Sequence, residues 1–185
     1  MAKAREIPGL TTDLPYGETA ARVLEVRTEE LIEHSQGVLD MTEIEGVHAM
    51  RVATRRLRAA IEVFRPCFPK EQGKAVLDDV KALADALGER RDPDVAILAL
   101  DGFAAAMPAP DRPGIRSIVD GFRAEQKQAN VALAAFVEES QLAGLRERLL
   151  GLAAAAREAV EEVDPELGEE PSGIEASSNG AGELA

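Results

Sequence analysis

The sequence has no tryptophan, a single cysteine, two histidines and only 3% aromatic residues. Each shortage removes a class of function. Without aromatic platforms, the successive bases of a single-stranded nucleic acid have little to stack on. Cys67 alone can form neither an intramolecular disulfide nor a cysteine-based zinc site; between its prolines it reads as a small buried hydrophobe. No third ligand stands at metal-binding spacing from His34 and His48, so no metal is expected. No apolar run approaches the ~18 residues of a membrane span, and the opening MAKAREIPGLTTDLPYGE lacks a signal-peptide core. A cytoplasmic chain without a membrane partner is therefore expected. There is also no Gly-rich phosphate loop, metal-ligand helix or nucleophile elbow, so neither a cofactor nor an enzymatic activity is expected.

What is present is an aliphatic, acidic chain. Hydrophobic residues make up 45% of its 185 positions, enough for a core of alanine, leucine and valine, which suits closely packed helices. The net charge is −13. Part of it sits at the end, where eight acidic and no basic residues follow from Glu161 onward. The Gly-, Ser- and Glu-rich stretch 164–185 reads as a disordered acidic tail. Residues 1–17 read as an extended segment and 18–163 as one helical domain.

Periodicity predicts only helices. A first helix is expected over about 18–36, and a second enters after Thr42 and closes at Pro66 and Pro69. Val76, Leu77, Val80, Leu83, Ala84 and Leu87 mark a third, stopping near Gly88. Asp92-Pro93-Asp94 reads as the start of a fourth, with a capping acid, proline at the first helical position and a second acid near the positive dipole end. Beyond the break MPAPDRPG, two further helices are expected, ending near Val163. The expected fold is thus all-α: an antiparallel four-helix bundle followed by two further helices and the tail.

The segment VHAMRVATRRLRAAIEVFRPCF, from Val47 to Phe68, concentrates a histidine and five arginines. At about 100° per residue, His48, Arg51, Arg55 and Arg58 share an arc of roughly 80° and span about 15 Å along the axis. Ala49, Ala53, Leu57, Ala60 and Phe64 form a separate apolar stripe. Arg56, near the apolar edge, reads as an ion-pairing or snorkelling residue with a packed stem. Like charges at i,i+4 repel, so the row costs stability in the free protein. Its length suits an extended polyanion better than one small ion. Spacing alone leaves open a solvated helix face paired with neighbouring acids.

His48-Ala49-Met50-Arg51-Val52-Ala53-Thr54-Arg55-Arg56-Leu57-Arg58 resembles the signature of CHAD domains, the conserved histidine α-helical domains that bind inorganic polyphosphate. LADALGERRDPDV, from Leu83 to Val95, resembles the family's second hallmark, a Leu-Gly turn followed by Arg-Asp-x-Asp-Val. The resemblance implies a helical, non-catalytic binder of polyphosphate, with an association with polyphosphate granules as one consequence. The family's binding positions carry over to His48, Arg51, Arg55 and Arg58, and with them Lys81 and Arg91; Asp92 is assigned to capping. The chain resembles the N-terminal half of a two-half domain, since no second His/Arg signature follows Met107. Either one half then binds alone with less affinity, or two chains pair as a two-fold homodimer with both arginine rows around one groove. Because family members are often joined to triphosphate-processing domains, the resemblance also implies such an enzyme as a partner.

The chemistry agrees with the resemblance. An arginine fork can hold two oxygens of one phosphate, and it stays charged at physiological pH. A histidine, with an ordinary pKa of about 6.5, donates as a neutral ring or becomes cationic beside phosphate, so affinity should vary with pH. Two alternatives compete. A nucleic-acid binder is disfavoured by the −13 charge. The other is a helical scaffold whose basic face meets an acidic protein partner.

Overall fold

The computed structural model describes residues 4–161: an irregular stretch up to Pro15, then helices and their connections, with no strand among them. The expected acidic tail lies outside the described residues. Five α-helices follow in order: α1 (Tyr16–Ser35), α2 (Ile44–Val63), α3 (Lys70–Ala106), α4 (Arg112–Val137) and α5 (Glu139–Glu161). Single 3-10 turns, Arg65–Cys67 and Ala109–Asp111, precede α3 and α4.

One expectation fails in an instructive place. The third and fourth expected helices are a single 37-residue helix, α3, which runs through Gly88 and Pro93. Asp92 therefore caps nothing, and Asp94 lies buried in mid-helix rather than at a positive dipole end. Proline removes one backbone hydrogen bond and costs an isolated helix about 3 kcal/mol. Here tertiary contacts override that cost. Pro93 is buried, and Arg90 pairs with Asp94 across the same turn, through Nη1 and Oδ1. From α4, Gln126 Nε2 donates to Asp94 Oδ1 at 2.5 Å, and Asn130 Oδ1 accepts from Arg90 Nε at 2.9 Å. The helix is stapled where proline weakens it.

A four-helix bundle does form, with a different fourth member. Only Glu138, in an extended conformation, separates α4 from α5, and the two follow one another antiparallel to α3. Arg148 pairs with Asp79 at 3.0 Å, and Arg123 with Asp101 at 3.9 Å. On its other side α5 lies antiparallel to α1. Arg157 clamps Glu18 (2.7 Å) and Glu25 (2.6 Å), and Arg146 reaches Glu29 (2.6 Å). The core thus draws on Leu24 and Leu31 of α1, Met50 and Leu57 of α2, Val80 and Leu87 of α3, and Leu149 and Leu152 of α5. The "two further helices" are not an appendage, because α5 closes the bundle.

Helix lengths are unequal. Twenty residues give α1 and α2 about 30 Å each, against about 55 Å for α3. The far part of α3 therefore projects with α4 as a two-helix extension. There Val95, Leu98 and Phe103 are 52%, 62% and 57% exposed. Between α1 and α2 the chain turns at Gly37, whose φ of +73° is the left-handed conformation that glycine adopts freely at a helix C-terminus.

Candidate functional site

Helix α2 is sorted by its own periodicity. Val47, Met50, Ala53, Leu57, Ala60 and Ile61 turn into the core, and Thr54 joins them by donating its hydroxyl to the Met50 carbonyl at 2.8 Å. The opposite side leaves Arg51, Arg55 and Arg58 exposed and His48 half-buried. Against that side runs α3, which offers small residues. His48, Arg51, Val52, Arg55, Arg58, Ala84 and Asp85 enclose a hollow of about 320 Å³. Gly88 explains part of the fit. A Cβ there would lie 2.8 Å from Arg51 Nη1, so glycine lets the guanidinium rest against the α3 backbone.

Pairing separates this row from the other cations. Arg27 and Arg56 converge on buried Glu30, at 2.6 and 2.8 Å. Burial alone would push the Glu30 carboxyl up; Arg27, the Arg5 backbone N–H and Arg56 together outweigh it, and the group is held below its ordinary value. Arg157 is held fully protonated by Glu25 and Glu18. By contrast, among the described residues no carboxylate lies within ion-pair distance of Arg51 or Arg55. Arg58 shares a 2.9 Å contact with Glu62 one turn along the same helix, both 46% exposed, the kind of pair that contributes little. Asp85 is the one acid lining the hollow.

The structure thus brings His48, Arg51, Arg55 and Arg58 together along one groove. Lys81 stands beside it rather than in it. It pairs with Asp78 at 3.5 Å and lines a neighbouring hollow that also holds Arg65, Lys70 and Lys74. Arg91, with its side chain 15% exposed, is turned to the protein itself. It donates to the Ile44 carbonyl at 3.0 Å and stands 4.0 Å from Asp94. His34 lies half-buried in the last turn of α1, away from the groove lining.

Several residues that shape this region were not singled out by sequence. Arg65, Lys70 and Lys74 flank the corner that Pro66 and Pro69 mark, which reads in sequence only as a helix stop. Had α2 and α3 been folded back as a hairpin about that corner, Arg65 would have met Lys74, and Arg58 would have met Lys81. Arg90 and Asp94 are four apart, but their burial is invisible without knowing that the helix continues.

A profile of the CHAD domain matches residues 22–176, from within α1 to beyond α5. The chain belongs to the CHAD domain family. No curated protein matches the chain. The two hallmarks now have separate physical meanings in this CHAD domain. His48–Arg58 is an outward cation row, whereas the Arg90–Asp94 stretch is an inward staple joining α3 to α4. CHAD domains are associated with polyphosphate and triphosphate binding. No described helix is long and apolar enough to cross a membrane.

Proposed function

We propose that this CHAD protein binds inorganic polyphosphate without catalysis, along the groove of His48, Arg51, Arg55 and Arg58. The observation that carries the proposal is the state of Arg51 and Arg55. In a chain of net charge −13 they remain solvent-facing with no carboxylate partner among the described residues. A protein rich in acids could have neutralised them and has not. Arginine forks suit the phosphate oxygens, and the open groove accepts a chain rather than enclosing a single ion. Association with polyphosphate granules follows from binding.

The test is titration with long-chain polyphosphate at several salt concentrations. Wild type should bind, with affinity falling steeply as salt rises, because each neutralised phosphate releases counterions. Replacing Arg51, Arg55 and Arg58 together by alanine should cost at least 100-fold, on the order of 3 kcal/mol from three charge-assisted contacts. A triple variant that binds like wild type would refute the proposal. Duplex DNA displacing polyphosphate at equal phosphate concentration would favour the nucleic-acid reading instead.

We further propose that two chains pair through α3. At 100° per residue, Val95, Leu98, Ala99, Gly102, Phe103 and Ala106 fall within an arc of about 140°, on the side of α3 that carries Ala84 and Gly88. The groove wall therefore runs on, past the start of α2, as an apolar shelf. A second copy packed there by a two-fold axis running parallel to α3 would set the two cation rows side by side.

A further inference from the structure

Resting on the polyphosphate reading, we infer that Arg65, Lys70 and Lys74 form a second anion site, which takes a later stretch of the same polyphosphate chain. The two sites together make a bipartite track along the α2–α3 seam.

The register of the two helices places this site. Arg51 meets Gly88, and Arg55 and Arg58 face Ala84 and Asp85. One step further along, Ile61 and Arg65 share a hollow of about 230 Å³ with Leu77, Lys74 and Lys81. The seam is thus continuous from His48 to Arg65, a run of roughly 25 Å at 1.5 Å per residue. Among the described residues Arg65, Lys70 and Lys74 make no ion pair, and all three are exposed. They are cations without internal work, as Arg51 and Arg55 are. The start of α3 adds to the potential: Pro69 provides no side-chain cap, so the N–H groups of the first turn keep their positive end, which Glu71 in that turn offsets in part.

The middle of the track differs from its ends. Arg58 is engaged by Glu62, and Lys81 by Asp78. Both pairs are exposed contacts within one helix, the weak kind. A short anion would find a free cluster at either end and two occupied cations between them. Only a chain long enough to reach both ends gains both sets of contacts, and the second contact then forms at high effective concentration. The track therefore selects for length.

Calorimetric titration of the full chain with tripolyphosphate and with long-chain polyphosphate tests this. Wild type should bind tripolyphosphate at two sites per chain and long polyphosphate far more tightly. Combined Arg65→Ala, Lys70→Ala and Lys74→Ala should remove one tripolyphosphate site, leave the other unchanged, and weaken long-chain binding at least tenfold. Arg116→Ala with Lys127→Ala, exposed cations on α4, serves as the control for bulk charge and should leave all three values in place. Long-chain affinity within twofold of wild type in the corner variant, or an equal loss in the α4 control, would overturn the second site while leaving the groove intact. A wild type that binds neither probe would overturn the groove reading and this inference with it.

Discussion

At the scale of single residues, the most consequential pair is Arg90 and Asp94. Both side chains are fully buried, and Arg90 Nη2 and Asp94 Oδ2 have no hydrogen-bond partner among the described residues. A buried ion pair gains little overall, because desolvation offsets the attraction; breaking it is what costs. Asp94→Ala should therefore destabilise by about 3–5 kcal/mol, since it strands a guanidinium in the core. Asp94→Asn, which keeps an acceptor for Arg90 and Gln126, should lose less. The double change Arg90→Met with Asp94→Leu should recover much of the loss. Urea unfolding distinguishes these; an Asp94→Ala cost below ~1 kcal/mol would mean water reaches the pair. Glu30 gives a pH dependence of definite sign. Its carboxyl is held below its ordinary value of 4.5, so its contribution is complete above that pH and is lost as pH falls through the lowered folded value. Glu30→Gln should flatten the acid side of the stability profile, where pH falls below the ordinary carboxyl value of 4.5, and leave its neutral-to-basic shape unchanged.

At the scale of elements, α3 holds the main discrepancy between sequence and structure, and Gly88 shows its cause. Read locally, Gly88 followed by Asp92-Pro93 is a stop and a restart. In the fold, Gly88 is a landing place for Arg51, and Pro93 packs in a stapled turn. Both residues answer to partners distant in sequence, which periodicity does not see. What depends on one helix was legible. The sorting of α2 into an apolar stripe and a cation row follows from 100° steps, as does the place of Arg56 at the apolar edge; that it pairs with Glu30 rather than snorkelling depends on α1. What depends on two helices was not: Lys81 stands beside the groove, Arg91 turns to the Ile44 carbonyl, and the corner cations went unnoticed. Gly88→Ala separates the two uses of that position. Alanine favours a helix interior over glycine by about 1 kcal/mol, and the added methyl meets only the mobile end of Arg51. Folding stability should hold or rise, while polyphosphate affinity falls several-fold as the guanidinium is displaced. Unaltered affinity would show that Arg51 is not positioned by this contact.

At the scale of the whole molecule, charge and apolar surface act in opposite directions, which makes the pairing of chains testable apart from ligand binding. A net charge of −13 repels a second copy, and added salt screens that repulsion. The shelf on α3 attracts by burial, which salt does not weaken; a fully buried leucine or phenylalanine contributes about 1.5–3 kcal/mol. Dimerisation should therefore strengthen from low to moderate salt, over the range in which polyphosphate binding weakens. Leu98→Asp places a charge at the centre of the shelf without touching the groove. By light scattering the wild type should have the mass of two chains, and the Leu98→Asp variant that of one. The monomeric variant should still bind tripolyphosphate as wild type does, yet bind long polyphosphate less tightly, since one row of cations rather than two then faces the polymer. A wild-type mass of one chain at every salt concentration would remove the pairing, and the single groove of α2 and α3 would stand as the complete binding surface.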